Sequence, residues 1–236
     1  MIWESKDSEL TVQVWEKEGR RELRFGNKIM QSVFSLVYPD YLVLPYTRFM
    51  LLGLIFCPEP KTVLHIGLGG GSIARWLHRE FPNIKQIIIE VNPLVIEVAH
   101  KFFEFPKDER LQVINGDASI IVPNLSKKFD LIFLDAFCEN GIPKEVMGVQ
   151  FLRNLCDCLN SNGWILGNLW TINKDFKEQC EQWESTFNLV LSARANKKGN
   201  VIYFGSQIPR IQDTKKISQN AEILEKRHRI DIFNWP

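Results

Sequence analysis

The sequence has no hydrophobic run long enough to cross a membrane. Its most apolar stretch covers residues 49–58, whereas a membrane-spanning helix needs about 20 apolar residues. Residues 1–7 carry both signs of charge and no apolar segment, so no secretory signal is visible. We therefore expect a cytoplasmic protein without a membrane partner.

An excess of either charge is also missing. The chain has 29 Lys and Arg against 28 Asp and Glu, a formal net charge of +1. A broad positive field is what attracts a phosphate backbone, so we expect no nucleic-acid partner. The five cysteines are odd in number and irregularly spaced, which favours free thiols in a reducing compartment. Cys156 and Cys158 lack the two-residue gap of zinc or redox pairs, and we expect no metal site.

The 236 residues suffice for one sizeable domain and a smaller addition. Residues 1–45 alternate apolar and polar side chains between glycines, which predicts a small N-terminal β-strand domain. Residues 46–209 then alternate short apolar strands with amphipathic helices, which predicts an α/β fold with a mainly parallel sheet. We expect a continuous helix at 46–56 and an antiparallel C-terminal hairpin at 187–204. The polar C-terminal tail, 210–236, is expected to be a surface helix or a loose segment.

Ligands of an open parallel sheet bind at the carboxyl ends of its strands, and a glycine loop lies at the first of these ends. Gly67, Gly69 and Gly71 let the backbone approach a ligand closely. No lysine follows them, so a triphosphate loop is disfavoured. A dinucleotide loop fits only in its looser form, from Gly69 through Ala74. A strand-to-helix turn without a ligand is the alternative.

Acidic residues lie at or just after the carboxyl ends of the next three predicted strands. Glu90 can accept the hydroxyl groups of a ribose. Asp117, beside Ala118, suits an adenine amino group, or else it caps a helix. Asp135 lies at the mouth of the cleft, where partial desolvation raises a carboxyl pKa, and it can hold an amine or accept its proton. Together these residues describe a nucleoside pocket of the kind that adenosyl-sulfonium transferases use; strand-end turn formers are the alternative.

Several segments together resemble the spermidine synthase (polyamine aminopropyltransferase) family, in particular its short bacterial members, over about residues 20–205. They are 23–26 (LRFG) with Gln31, 45–48 (PYTR), 63–72 (VLHIGLGGGS), 90–96 (EVNPLVI), 116–118 (GDA) and 129–135 (FDLIFLD). The resemblance implies a class I methyltransferase-like (Rossmann-like) domain behind the small β domain. It also implies decarboxylated S-adenosylmethionine as cofactor, methylthioadenosine as product, an amine acceptor such as putrescine, and a homodimer or homotetramer.

The resemblance also assigns roles by position. It implies Gln31 as a cofactor-binding residue, Tyr46 as a substrate-binding residue and Asp135 as the catalytic aspartate. It assigns the ribose to Glu90 and the adenine to Asp117 with Ala118.

Three positions depart from the family pattern. The family's glycine loop carries an aspartate for the aminopropyl nitrogen, and this chain has Gly70 there. The second acid of its Asp-x-x-Asp is Cys138 here, and we expect the neighbouring Glu139 to bind the substrate amine instead. The family's Tyr-His-Glu or Tyr-Gln-Glu reads Tyr46, Thr47 and Arg48.

Two other functions therefore stay open. An aspartate in the loop would repel the carboxylate of intact S-adenosylmethionine, so glycine at position 70 leaves an S-adenosylmethionine-dependent methyltransferase as an alternative. A non-catalytic nucleoside-binding protein is the other. Typical class I methyltransferases carry an acid two residues before the first loop glycine, where this chain has His65, which we expect to be a core histidine.

Overall fold

The computed structural model describes residues 1–6, 10–26, 29–137, 146–195, 199–211, 213–228 and 230. Its N-terminal part is a four-stranded antiparallel sheet in the order β1-β2-β3-β4. The strands are β1 (Trp3–Lys6), β2 (Thr11–Lys17), β3 (Arg20–Phe25) and β4 (Ile29–Ser35). Alternation places Val12, Val14 and Leu23 on one buried face, which packs against Val95 and Val98 of a helix in the second part. The predicted N-terminal β-strand unit is therefore present.

The second part is a seven-stranded sheet in the order β10-β11-β9-β8-β5-β6-β7. Strands β5 to β9 pair in parallel, and β11 is antiparallel to both of its neighbours. The strands are β5 (Thr62–Ile66), β6 (Lys85–Glu90), β7 (Leu111–Asn115), β8 (Phe129–Leu134), β9 (Leu159–Trp170), β10 (Leu189–Arg194) and β11 (Asn200–Ser206). The predicted α/β fold, with a mainly parallel sheet and a C-terminal hairpin, is confirmed.

Helices cover both faces of this sheet. They are α1 (Pro45–Met50), α2 (Gly53–Phe56), α3 (Ser72–Glu80), α4 (Pro93–Phe102), α5 (Ala118–Ile121), α6 (Val149–Asp157), α7 (Phe176–Thr186) and α8 (Thr214–His228), with a 3-10 turn at Val122–Asn124. Leu64 and Ile132 pack into one core cluster, and Val63 and Leu131 into the other. Because both faces are buried, the strands read as continuous apolar runs. None of the described helices is both long and apolar enough to span a membrane.

The expectation of one continuous helix at 46–56 is wrong. The segment forms two helices, because the N–H groups of Leu51 and Leu52 donate to carbonyls three residues back, at 3.1 Å each, and tighten the turn. Gly53 then lies against β9, where an added Cβ would stand only 3.1 Å from Leu166 Cδ1 and nearer still to Cδ2. The break is imposed by packing between α2 and β9.

The C-terminal segment contains a packed helix rather than a loose tail. Leu224 of α8 is 2% exposed and belongs to the core that covers Val63. Asn220 donates its side-chain N–H to Ile55 O over 2.8 Å, and His228 Nδ1 lies 3.0 Å from Glu80 Oε2. Polar residues dominate the outer face of α8, and this concealed its buried side from the sequence analysis.

Truncation of Leu224 should measure how firmly α8 is packed. We expect Leu224→Ala to lower the free energy of unfolding by about 2–4 kcal/mol, because it leaves a cavity in a closed core. The adjacent Ile223, 46% exposed, is the matched control, and Ile223→Ala should change the free energy by less than about 1 kcal/mol. Urea denaturation followed by circular dichroism measures both; equal effects would show that α8 is not docked as described.

Candidate active site

A cavity of about 230 Å³ lies between the N-terminal sheet and the carboxyl ends of the parallel strands. Strand β4 contributes Gln31 and Ser32, and α1 contributes Tyr46 and Thr47. The opposite wall is made by the residues that follow strands β5 to β8. From β5 the chain adds β6 and β7 on one side of the sheet and then β8 and β9 on the other side. The strand order therefore switches between β5 and β8. The cavity lies at this switch, where open α/β sheets bind ligands.

The glycine loop forms the floor of the cavity. Gly67, Gly69 and Gly71 have φ values of +93°, +53° and +71°, in the left-handed region that favours glycine. A Cβ on Gly67 would lie 3.0 Å from the carbonyl carbon of Asp135 and closer still to its oxygen. The loop therefore needs glycine to turn into α3 and to pass directly beside the end of β8.

Gly70 differs from its neighbours because it is not among the lining residues. Its N–H donates to Ser32 Oγ over 2.8 Å, which joins the loop to β4. An added Cβ would meet Phe103 Cδ1 at 2.9 Å and Ser32 Cβ at 3.0 Å. An aspartate at this position would have to displace β4 or a fully buried phenylalanine. Compared with an aspartate, glycine therefore removes a charge and also lets β4 and the phenylalanine pack closer to the loop.

Glu90 ends β6 and is 8% exposed. Its Oε2 accepts the N–H of Leu68 and its Oε1 accepts the N–H of Asn92, both over 2.9 Å. Burial raises the pKa of this carboxyl, and the backbone N–H groups around it oppose that rise. The carboxylate is thus fixed in orientation at the cavity wall, with oxygen lone pairs left for further donors.

Asp117 caps a helix, which is one of the two roles that the sequence left open. Its Oδ1 accepts the N–H of Ser119 over 2.8 Å and caps α5. The residue and its neighbours Gly116 and Ala118 also line the cavity. Because the cap uses one oxygen, the other remains available to a ligand donor.

Asp135 stands at the end of β8 in a polar network. Its Oδ1 accepts a 2.9 Å hydrogen bond from Asn168 Nδ2, and Tyr46 also hydrogen-bonds to it. Asn168 Oδ1 in turn accepts from Asn200 Nδ2 over 2.9 Å. Burial raises the pKa of Asp135 to about 6, and burial beside this carboxylate raises the pKa of Tyr46 well above its ordinary value. These hydrogen bonds hold the carboxyl in place at the cavity wall.

Gln31 brings an unsatisfied donor to the cavity. Its Nε2 is fully buried and has no hydrogen-bond partner among the described residues. A buried amide nitrogen without a partner costs free energy, typically about 1–3 kcal/mol. A ligand acceptor in the cavity would remove that cost.

The charge of the cavity has one sign. Glu90, Asp117 and Asp135 line it, and no lysine or arginine is among its lining residues in the described part of the chain. Arg48 points elsewhere, with its guanidinium 5.1 Å from the centre of the Tyr41 ring. Such a cavity favours a cationic ligand. Within the described residues, no group of three or more His, Cys, Asp or Glu side chains could hold a metal ion.

Asn168 is a polar site residue that the sequence analysis missed. It is 2% exposed and lies inside β9, whereas the sequence rule for open parallel sheets selects only residues at strand ends. A lone asparagine in the apolar run 164–170 was the available signal. Cys138 and Glu139 lie outside the described residues, so the role expected for Glu139 stays a prediction.

The fold is that of an α/β protein of the class I methyltransferase-like type. The structure of human Methyltransferase-like protein 13 in complex with SAH superimposes with a TM-score of 0.72 at 23% identity, over 81% of this chain and 95% of that one. A spermidine synthase in complex with the transition state analogue AdoDATO superimposes with a TM-score of 0.77 at 18% identity, over 95% of this chain and 78% of that one.

Sequence comparison identifies the family within that class. The spermine/spermidine synthase domain model matches residues 45–195, and the chain belongs to this family. A polyamine aminopropyltransferase of Neisseria meningitidis is 31% identical over 94% of this chain and 86% of its own length. An eEF1A lysine and N-terminal methyltransferase of Xenopus laevis is 26% identical over 93% of this chain but 34% of its own length.

The contact between the glycine loop and β8 can be tested by a pair of glycine substitutions. Gly19 also has φ +71° but only Val37 Cγ2 near it, at 3.3 Å, so Gly19→Ala isolates the conformational cost of about 1–2 kcal/mol. We expect Gly67→Ala to lower the free energy of unfolding by roughly 1–3 kcal/mol more than Gly19→Ala does, because the methyl group overlaps Asp135. Chemical denaturation of both variants gives the difference; equal losses would contradict the close approach.

The raised pKa of Asp135 predicts a pH-dependent stability. The folded state holds this proton more tightly than the unfolded state, so the carboxyl lowers stability as pH rises from about 4 to about 6. Asp135→Asn keeps an amide that can accept from Asn168 and donate to Tyr46. We expect it to be more stable than wild type above pH 6, by on the order of 3 kcal/mol, and little different below pH 4. Denaturation curves from pH 4 to 8 test this; a constant difference would contradict it.

Proposed function

We propose that the chain is an aminopropyltransferase that transfers the aminopropyl group of decarboxylated S-adenosylmethionine to an amine. The observation that carries this proposal is the cavity lined by three carboxylates and by no lysine or arginine of the described residues. Its membership of the spermine/spermidine synthase family supports the same activity. A sulfonium and an ammonium on the donor and an amine on the acceptor all suit a cavity of that charge.

The residues present fit the nucleoside half of the cofactor. Glu90 offers free lone pairs on two fixed oxygens, which suits the two ribose hydroxyls. Asp117 has one oxygen free beside Ala118, which suits the adenine amino group. Gln31 Nε2 lacks an acceptor, and a nucleoside oxygen or ring nitrogen would supply one. When bound, the cofactor supplies a carbon activated by the adjacent sulfonium.

Asp135 is proposed as the group that receives the amine proton. An amine attacks only when unprotonated, although its solution pKa is about 10. With a pKa of about 6, Asp135 is ionised at neutral pH and can bind the ammonium and accept its proton. The new N–C bond then forms as the C–S bond breaks, the electron pair stays on sulfur, and the sulfonium becomes a neutral thioether. Tyr46 and Asn168 orient the carboxylate throughout.

Methyl transfer is the second candidate. The similarity to an eEF1A lysine and N-terminal methyltransferase favours it, as does the absence of a side chain at Gly70. Intact S-adenosylmethionine carries a carboxylate, however, and the described lining residues include no lysine or arginine to pair with it. A buried carboxylate without a cationic partner is costly, so the cavity favours the decarboxylated form.

The acceptor, assembly and compartment belong to the same proposal. A diamine such as putrescine has a second ammonium, for which Glu139 is the proposed partner. We propose a cytoplasmic homodimer or homotetramer, in line with the free thiols of Cys57, Cys156, Cys158 and Cys180.

Product analysis separates these functions. Purified protein is incubated with decarboxylated or intact S-adenosylmethionine and a panel of amines, and the products are identified by mass spectrometry. We expect methylthioadenosine from the decarboxylated form, and a loss of at least about 100-fold in kcat for Asp135→Asn because the proton acceptor is removed. S-adenosylhomocysteine would indicate methyl transfer instead, and neither product would indicate a binding protein.

Matched acceptors test Glu139. If its carboxylate binds the far ammonium of putrescine, Glu139→Gln should raise KM for putrescine about 10-fold or more and leave KM for butylamine unchanged. Glu59, which pairs with Arg227 on the surface, gives the control variant Glu59→Gln. An equal KM for putrescine in the wild type, Glu139→Gln and Glu59→Gln would exclude Glu139 from amine binding.

A further inference from the structure

His65 lies in β5 and is only 4% exposed, yet it is among the residues that line the cavity. The ring stacks on Phe133 of the neighbouring strand, with 5.1 Å between ring centres and 9° between planes. Its Nε2 lies 2.8 Å from Gln86 Oε1. The Nδ1 atom has no hydrogen-bond partner among the described residues. His65 is therefore the buried histidine that the sequence predicts, with a hydrogen-bond partner on one of its two ring nitrogens.

Gln86 decides which nitrogen carries the proton. Its Nε2 donates to Ala74 O over 3.0 Å, and a carbonyl can only accept, so the amide oxygen of Gln86 must face His65. That oxygen also only accepts, so the proton of His65 stands on Nε2. Burial lowers the pKa of His65 to about 4, and the ring is neutral at physiological pH. Its Nδ1 is consequently a lone-pair acceptor with a fixed direction.

This acceptor complements the part of the cofactor that the other residues leave unassigned. Glu90 and Asp117 are proposed for the ribose and adenine, and Asp135 for the acceptor amine. The three-carbon arm of the proposed cofactor ends in an ammonium, which only donates hydrogen bonds. Gln31 Nε2, which also lacks a partner among the described residues, is itself a donor and cannot accept a hydrogen bond from an ammonium. His65 Nδ1 has the required character.

We propose that His65 Nδ1 accepts a hydrogen bond from the cofactor's aminopropyl ammonium, and that Gln86 positions it by fixing the Nε2–H tautomer. The assignment rests on the proposed function. It gives the chain a neutral acceptor for this ammonium without a side chain at position 70, where packing against Phe103 and Ser32 leaves no room for one. Neutrality matters, because a protonated ring would have no lone pair and would repel the ligand.

Two unreactive thioethers that differ only in the ammonium test the assignment. They are 5′-(3-aminopropylthio)-5′-deoxyadenosine and 5′-propylthio-5′-deoxyadenosine, and isothermal calorimetry gives Kd for each. We expect His65→Phe, which keeps the stacking on Phe133, to weaken the aminopropyl ligand on the order of 10–100-fold and to leave the propyl ligand unchanged. Glu90→Gln is the matched control, because a ribose contact affects both ligands by the same factor.

The possible outcomes separate the two proposals. If wild type binds both thioethers and His65→Phe weakens both equally or neither, the role of His65 is refuted while the nucleoside site stands. If wild type binds neither, the proposed function fails and the assignment of His65 with it. His65→Phe/Gln86→Leu removes both partners of the buried hydrogen bond, so it guards against misfolding and should show the same selectivity.

A spectroscopic measurement is independent of affinity. The imidazole ¹⁵N shifts of His65 should report Nε2–H in the free protein, with the Nδ1 resonance moving only when the aminopropyl ligand is added. An Nδ1–H tautomer in the free protein would refute the assignment.

Discussion

The contact between Gly67 and the end of β8 is the constraint on which the rest of the site depends. Asp135 N donates to Ile66 O over 3.0 Å, and the carbonyl of Asp135 then lies where any side chain at position 67 would have to be. The backbone of the first loop glycine and the backbone of Asp135 are therefore fixed relative to each other, and Asn168 and Tyr46 then orient the carboxylate. Glu90 is joined to the same loop through Leu68 N, so a single rigid turn sets the spacing of two acids.

Electrostatics make this arrangement costly for the protein and useful to a ligand. Glu90 and Asp135 are both desolvated, and burial raises the pKa of each. The described lining residues offer no lysine or arginine to compensate. A cationic ligand in the cavity would supply the missing counter-charge. Binding would then relieve the electrostatic cost that the two buried carboxylates impose on the free protein, and this relief would add to the affinity for the ligand.

The features that local pattern encodes were predictable, and those that depend on tertiary contact were not. The β/α alternation located Glu90, Asp117 and Asp135, because each lies at the end of a strand or within two residues of it. Asn168 was missed, since nothing local distinguishes an asparagine inside β9 that hydrogen-bonds to Asp135. The division between α1 and α2 depends on Gly53 meeting Leu166, two residues far apart in the chain. The proton position on His65 depends on Gln86 and Ala74, which belong to different elements.

The hydrogen bond between Ser32 Oγ and Gly70 N has a consequence for how such sites diversify. It holds β4 against the glycine loop as one wall of the cavity, while Glu90, Asp117 and Asp135 all belong to the larger second part. The matched family domain begins at residue 45, downstream of that wall. Exchange of the small N-terminal sheet would therefore replace one wall of the cavity, Gln31 included, and leave the three acids of the opposite wall in place. The two-part architecture thus separates the carboxylates of the cavity from the wall that faces them.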